Sequence, residues 1–294
     1  MSAPRISDLD RIAVVEETNR HSAVWNRMSA STRYIAMHSP FLVDVETFAR
    51  HRWFAMPEPL ELVMGTRLAV EEPQSLELLR LVAGIEGLVV SRLKLARQIA
   101  IGRVKVRPLL CDLHNVRHDL RLVGISNEEA PRAWALAEEV AAIRGSWWET
   151  ADEDRDRRVS DLAASAARGI DEALARCPST SADVPPVPSM SLCAQWGNVT
   201  LVIQSTTSHV RPMQRLLAGL SGRLSRRAGE MVWSRQRHEL CVPHGVVSVL
   251  SSAAAGADEL MATRLEVVRR YRAFMDRQTP GWSSIGLATI FAPE

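Results

Sequence analysis

Long apolar runs are missing from this chain of 294 residues. The most apolar stretch, LRLVAGIEGLVV, is interrupted by Glu86 and flanked by Arg80 and Arg92. A membrane-spanning helix needs about 20 consecutive apolar residues, so this stretch does not qualify. The opening sequence MSAPRISDLDRIAVVEE carries acids where a secretory signal needs an apolar centre. We therefore expect a cytoplasmic protein that has no membrane partner.

Cysteine is also scarce, with four residues at positions far apart: Cys111, Cys177, Cys193 and Cys241. Disulfide frameworks occur in small secreted domains that cannot build a sufficient core. This chain is long enough to bury a core, and its 46% hydrophobic and 24% charged residues are typical of a globular protein. The cysteines are therefore expected to be reduced thiols.

Lysine is nearly absent, because Lys94 and Lys105 are the only lysines among 36 basic residues and the others are arginine. A GC-rich coding background explains part of this bias. The charges are also segregated: Arg92 to Arg107 contains six basic residues and no acid, and Arg211 to Arg237 contains seven arginines and only one acid. Acids concentrate instead in stretches such as ETADEDRD. This segregation favours an anionic partner.

Two segments alternate with the period of a β-strand. RVKVR and DLRL, on either side of HNVR, alternate apolar with charged residues and predict a first hairpin. MSLCAQW and VTLVI alternate on either side of Gly-Asn, a dipeptide typical of a two-residue hairpin turn, and predict a second. The sequence therefore predicts an α+β fold, rich in helix, whose mixed or antiparallel sheet is built from two β-hairpins.

Helical spacing covers most of the remainder. Helices are predicted near the N-terminus in DLDRIAVVEETNRHSAVWNRM, after the N-cap Ser39, and from 74 to 101. Ser126 and Glu129 have the spacing of a capping box that opens a helix ending at Gly145. A further helix is predicted from about 152 to 176, with one apolar stripe.

The proline-rich stretch CPSTSADVPPVPS marks a boundary between two halves. We assign residues 1–177 to an N-terminal helical segment with the first hairpin and helix, 178–189 to the linker, and 190–294 to the second hairpin and helix. The halves are expected to pack as one compact body. Each half follows the order strand, turn, strand, helix, so either a duplicated ββα unit or a chance similarity explains the pattern.

Cysteine and histidine occur together in CDLHNVRHDL and in HELCVPH. Cys111, His114, His238 and Cys241 are thus candidate zinc ligands if the two segments meet in space. The alternative is a hairpin with a buried cysteine and exposed histidines, and the spacing of paired Cys-x-x-Cys knuckles is absent. Zinc is therefore the one candidate metal, and any other cofactor remains unknown.

The arginine clusters can also line a cleft that holds a carboxylate or phosphate by paired hydrogen bonds. An imidazole titrates near neutral pH and can transfer a proton in either direction. We therefore expect an enzyme that acts on a small anionic or peptide substrate. The candidate catalytic residues are His114, His118 and Asp119, and the candidate substrate-binding residues are Arg107, Arg117, Arg121, Arg211, Arg215 and Trp148.

The predicted strand, turn and HDLRL segment is similar to the HLRLR region in the C-terminal domain of lantibiotic dehydratases and their thiopeptide-cyclase relatives. The similarity covers a small part of the chain and implies a peptide-modifying enzyme of bacterial secondary metabolism. The alternative is a module that binds nucleic acid or another protein through its basic surface, without catalysis. A homodimer is compatible with either function.

Overall fold

The computed structural model describes residues 12–15, 29, 41–53, 62–101, 106–178, 192–197, 199–205, 245–251, 260, 263, 264, 266, 267 and 270. Its elements are β1 (Ile12–Val14), β2 (Phe41–Val43), α1 (Val45–Ala49), a 3-10 turn (His51–Trp53), α2 (Leu76–Ile101), α3 (Val106–Val123), α4 (Pro131–Gly145), α5 (Asp152–Ala175), β3 (Leu192–Trp196), β4 (Val199–Ser205) and β5 (Gly245–Ser251). Helix therefore dominates the described residues.

Helices α2 to α5 form a four-helix bundle in which neighbouring helices run antiparallel. Helix α2 packs along α3 and α5, and α4 packs along α3 and α5. The core residues of α5 are the predicted stripe Val159, Leu162, Ala163, Ala166, Ile170 and Leu174, all of which are buried. The prediction for this helix is therefore confirmed, and its apolar face closes the bundle.

Helix α2 continues through its two glycines without a break. Gly84 and Gly87 face α3, where a Cβ on Gly84 would lie 2.6 Å from Cγ2 of Val123 and 2.8 Å from the carbonyl oxygen of Asp119. A Cβ on Gly87 would collide with the carboxyl group of Asp119. The glycines thus lower helix propensity, but they allow α3 to approach the backbone of α2 closely.

The first predicted hairpin is wrong, because residues 106–122 of it lie in helix α3. Its first residues, 103–105, lie outside the described residues. Its apolar residues recur every three or four positions and are buried along one side of the helix: Leu109, Leu110, Leu113, Val116, Leu120 and Val123. The alternation in RVKVR and DLRL spans only a few residues, whereas the helical period extends over the whole segment. The similarity to the lantibiotic dehydratases relied on a strand and turn, so it has no structural support here.

The predicted α+β fold with a sheet built from two hairpins is therefore wrong, and so is the pair of similar ββα units. Where the second hairpin was predicted, β3 pairs antiparallel with β4, and β4 pairs antiparallel with β5. Gly197 between β3 and β4 has a positive φ of 52°. The indole N–H of Trp196 donates to Asp171 of α5 at 2.8 Å, which joins these strands to the bundle.

Helix α4 is preceded by the predicted capping box. The backbone N–H of Ser126 donates to Glu129 at 2.7 Å, and that of Glu129 donates to the Ser126 hydroxyl at 3.3 Å. This prediction is confirmed, although α4 itself begins at Pro131. The carboxylate of Glu172 on α5 accepts hydrogen bonds from the backbone N–H groups of Arg132 and Ala133. One acid thus satisfies two donors at the start of α4 and fixes α4 against α5.

The N-terminal predictions need correction where the structure describes them. Ile12–Val14 is a strand rather than helix, and it pairs in parallel with Phe41–Val43. The helix predicted after Ser39 begins only at Val45, where Asp44 caps it by accepting from the N–H of Thr47 at 2.6 Å. Short apolar runs of branched residues favour strands. The local sequence did not reveal that the two runs pair.

A second, smaller core lies beside the bundle and is formed by Val15, Val43, Trp53, Leu79, Leu260 and Val267. At its centre Arg264 forms a bidentate ion pair with Glu86 of α2. The Nε–H of Arg264 donates to the carbonyl oxygen of Trp53 at 2.7 Å. Because both charged residues are buried, loss of either partner leaves an uncompensated charge in the core.

Of the helices in the described ranges, none is long and apolar enough to cross a bilayer. The boundaries at 177 and 190 remain predictions, since most of the proposed linker lies outside the described residues.

We expect Gly84→Ala to destabilise the protein even though alanine is the better helix former by about 1 kcal/mol. The new methyl group meets backbone and side-chain atoms of α3 at 2.6–2.9 Å, and overpacking of this kind costs about 1–3 kcal/mol. Gly145→Ala is the matched control, because no atom lies within 4 Å of its added Cβ. Urea unfolding of both variants measures the difference. Equal stabilities would show that α3 does not pack closely on Gly84.

We also expect Asp119→Asn to reduce the pH dependence of stability. Burial raises the pKa of Asp119 well above its ordinary value, against the opposing effect of Lys94. The unfolded state loses this proton near about pH 4, whereas the folded state keeps it, so rising pH favours unfolding by up to about 1.4 kcal/mol per pH unit. Urea unfolding between about pH 5 and 8 compares the two proteins. Identical pH profiles would contradict the burial of an unionised carboxyl group.

Candidate functional site

Histidine and arginine side chains line the side of α3 that faces away from the bundle core. His114 lies three and four positions before Arg117 and His118, and Arg121 lies four and three positions after them, so the four residues share one face of the helix. His114, His118 and Arg121 are exposed, and Arg117 is partly buried. The predicted turn residues are therefore brought together by a helix, over about two turns.

The opposite side of α3 determines this orientation. Leu113, Val116 and Leu120 are fully buried in the core, and Asp119 packs on Gly87. A rotation of α3 that buried the histidines would expose these aliphatic side chains and lose about 1.5–3 kcal/mol for each one. The exposed position of the basic residues thus follows from the packing of the apolar face.

Helix α4 contributes a further cation from its last turn. Neighbouring atoms partly desolvate the exposed His114 ring, which is the main cause of its lowered pKa, and the positive charges of Arg144 and Arg117 lower that pKa further. Arg144 therefore lies close enough to act on the imidazole, as the antiparallel packing of α3 and α4 requires. We call the group His114, Arg117, His118, Arg121 and Arg144 the cationic face.

Few acids balance the cationic face among the described residues. Arg117 forms an ion pair with Glu138 of α4 at 3.2 Å, and the Glu138 side chain is 61% exposed. Arg121 and Arg144 form no ion pair with any residue that the structure describes. An exposed pair is worth about 0–1 kcal/mol, so Glu138 is a weak competitor for a bound anion.

The structure separates Asp119 from the two histidines with which it was predicted to act. Its side chain points into the interface between α2 and α3, and its Oδ2 has no hydrogen-bond partner among the described residues. Lys94 and Asp112 form an ion pair at 2.7 Å elsewhere in that interface. Asp119 is thus placed to hold α3 rather than to contact a molecule at the cationic face.

The other predicted substrate-binding residues are more widely spread. Arg107 lies in the first turn of α3, two turns before His114, and only its backbone is described. Arg211 and Arg215 lie outside the described residues. Trp148 follows α4 and is 51% exposed. Its neighbour Trp147 packs on the core instead.

The zinc site stays a prediction, because two of its four candidate ligands, His238 and Cys241, lie outside the described ranges. Cys111 is partly exposed and lies one turn before His114 on α3. Within those ranges no three residues of the metal-binding types come together. Cys177 is buried, which raises the pKa of its thiol to about 12. That thiol stays protonated and cannot act as a nucleophile near neutral pH.

The prediction from sequence missed Arg144, Arg132 and Arg168. Arg144 directly precedes Gly145, the predicted end of its helix, and its position near His114 becomes evident only once α3 and α4 are recognised as antiparallel helices. Arg132 and Arg168 lie at a surface groove of about 640 Å³ between α4 and α5. Both helices were predicted, but nothing in the sequence indicated which of their faces meet.

A neutral imidazole beside two guanidinium groups combines two chemical capacities. The guanidinium groups can hold a carboxylate or phosphate, and the imidazole, whose lowered pKa favours its neutral form, can accept a proton. Comparisons of the chain with protein-family models, curated proteins and solved structures find no match.

Proposed function

We propose that this protein is an enzyme that binds a small anionic or peptide substrate at the cationic face and uses His114 as its proton acceptor. The observation that supports it most is the position of His114 near Arg117 and Arg144. Partial burial is the main cause of the lowered pKa of the imidazole, and the two positive charges lower it further. Cationic side chains attract the substrate, and the same charges disfavour protonation of the base. In this proposal the same group of residues both binds the substrate and removes its proton.

Each side chain has a distinct part in this proposal. Arg144 and Arg121 have no ion pair with a described residue, so their donors are available to a substrate carboxylate or phosphate. Arg117 releases Glu138 when the substrate binds, at a cost of about 1 kcal/mol or less. His114 removes a proton from the bound molecule, and the arginines stabilise the negative charge that develops. Asp119 positions α3 from inside the bundle.

A second candidate is a nucleic acid bound by the same face without catalysis. The favouring observation is that the side chains lie in a row on the exposed side of one helix, which is a shape that a phosphate backbone can follow. Stacking of nucleic-acid bases on a protein needs exposed aromatic rings. Among the exposed large hydrophobic residues of the described ranges, the aromatic one is Trp148. The two candidates differ in how binding depends on salt.

We expect wild-type protein to bind pyrophosphate saturably, and Arg121→Gln combined with Arg144→Gln to weaken that binding about tenfold or more. The melting temperature should stay nearly unchanged, because neither arginine forms an ion pair with a described residue. Isothermal titration calorimetry measures the binding. Arg157→Gln is the control, since Arg157 is an exposed arginine on α5 that pairs with Asp154.

The same proteins titrated with a short single-stranded DNA distinguish the two candidates. Tight binding that falls by orders of magnitude between about 50 and 200 mM salt would favour the nucleic-acid function. A large loss of stability in the double variant with unchanged pyrophosphate binding would show that these arginines are structural. Either result would contradict the enzyme proposal.

We further expect Arg144→Gln to raise the pKa of His114, because it removes a charge that disfavours the imidazolium form. A pH titration followed by NMR of the imidazole signals measures the pKa. Arg132→Gln is the matched control on the same helix, about 18 Å away along its axis. Saturating pyrophosphate should raise the pKa of His114 in the wild type, since a bound anion stabilises the charged ring. An unchanged pKa with pyrophosphate bound would exclude His114 from the substrate site.

A further inference from the structure

A surface groove runs between the antiparallel helices α4 and α5, away from the residues of the cationic face. Its volume of about 640 Å³ lies in the range of small-molecule sites. The floor is apolar and consists of Leu136, Leu162 and Gly169, which are buried. Ala135 and Ser165 are small exposed residues on the rims, so the groove stays open.

The two ends of the groove differ in charge. At the end where α4 begins, Gly169 lies against Arg132, since a Cβ on Gly169 would be 3.1 Å from the Arg132 carbonyl oxygen. Arg168 precedes Gly169 on α5 and also lines the groove, and neither Arg132 nor Arg168 forms an ion pair with a described residue. At the other end Glu139 is paired with Arg158 at 3.1 Å, which neutralises its charge.

The length of the groove follows from the helix geometry. Arg132 and Glu139 are seven positions apart on α4, which corresponds to about 10 Å along the helix axis. A ligand that matches this surface has an anionic head of two oxygens at the arginine end and a short apolar chain over Leu136 and Leu162. A longer chain would run onto the ion pair of Glu139 and Arg158.

We propose that the groove between α4 and α5 binds a medium-chain amphipathic carboxylate, with Arg132 and Arg168 holding the head and Leu136 and Leu162 contacting the chain. Each guanidinium donates to one carboxylate oxygen, and charge-assisted hydrogen bonds of this kind are the strong ones. Burial of the chain contributes about 25 cal/mol for each Å² of apolar surface removed from water. This site is independent of the cationic face and of the enzyme proposal.

The test uses octanoate as the anionic probe and octanamide as its uncharged analogue, with binding measured by calorimetry on the full chain. We expect saturable octanoate binding that weakens about tenfold or more in Arg132→Gln combined with Arg168→Gln. Octanamide should bind about tenfold more weakly than octanoate to the wild type. Arg121→Gln, which alters only the cationic face, should leave octanoate binding unchanged.

A second variant tests the groove without changing its charge. Ala135→Phe places a ring on an exposed rim and should block octanoate binding while both arginines remain. In the wild-type protein, the NMR signals of the Leu136 and Leu162 methyl groups should shift when octanoate binds. The proposal is overturned if octanoate shows no saturable binding, if both variants bind it like wild type, or if Arg121→Gln weakens it as much as the double variant. The last outcome would move the binding of octanoate to the cationic face.

Discussion

The close contact of α3 with the glycines of α2 is the constraint on which the candidate site depends. A helix axis can approach another this closely only where side chains are missing, and Gly84 and Gly87 leave that space. The contact fixes the rotation of α3 about its axis, because the carboxyl group of Asp119 fills the space that Gly87 leaves. His114 and Arg121 are exposed as a consequence. An alanine at either glycine would force α2 and α3 apart, and with α3 it would shift the histidines and arginines of the cationic face.

Several local features were predictable from the sequence because they depend on neighbouring residues. The reciprocal bonds of Ser126 and Glu129 and the apolar stripe of α5 belong to this group. Helix α3 was wrongly predicted as a hairpin because apolar and charged residues alternate over a few positions at each of its ends. So short a pattern is compatible with the period of a strand and with that of a helix. The burial of Leu109, Leu113 and Val116 on one side depends on the surfaces of α2, α4 and α5, which no local pattern specifies.

The candidate site shows the same division. His114, Arg117 and Arg121 were selected for their chemistry and lie together, although the reason is a helical face instead of a turn. Asp119 was selected with them because it is adjacent to His118 in sequence. Adjacent residues on a helix differ by about 100° in direction, so one faces solvent while the other faces Gly87. Arg144 was missed because its position relative to His114 depends on tertiary packing.

The fold separates the many arginines into two groups, those buried in ion pairs and those at the surface. Arg92, which belongs to a strongly basic stretch of sequence, is buried and donates to Asp171 at 2.7 Å; Arg264 is buried in its pair with Glu86. Such pairs cost desolvation and are retained where each charge has fixed partners. Charge clustering along the sequence is therefore a poor guide to charge on the surface. Arg121 and Arg144 of the cationic face, and Arg132 and Arg168 of the groove between α4 and α5, form no ion pair with a described residue. Their availability to an anion is a property of packing that the two sites share.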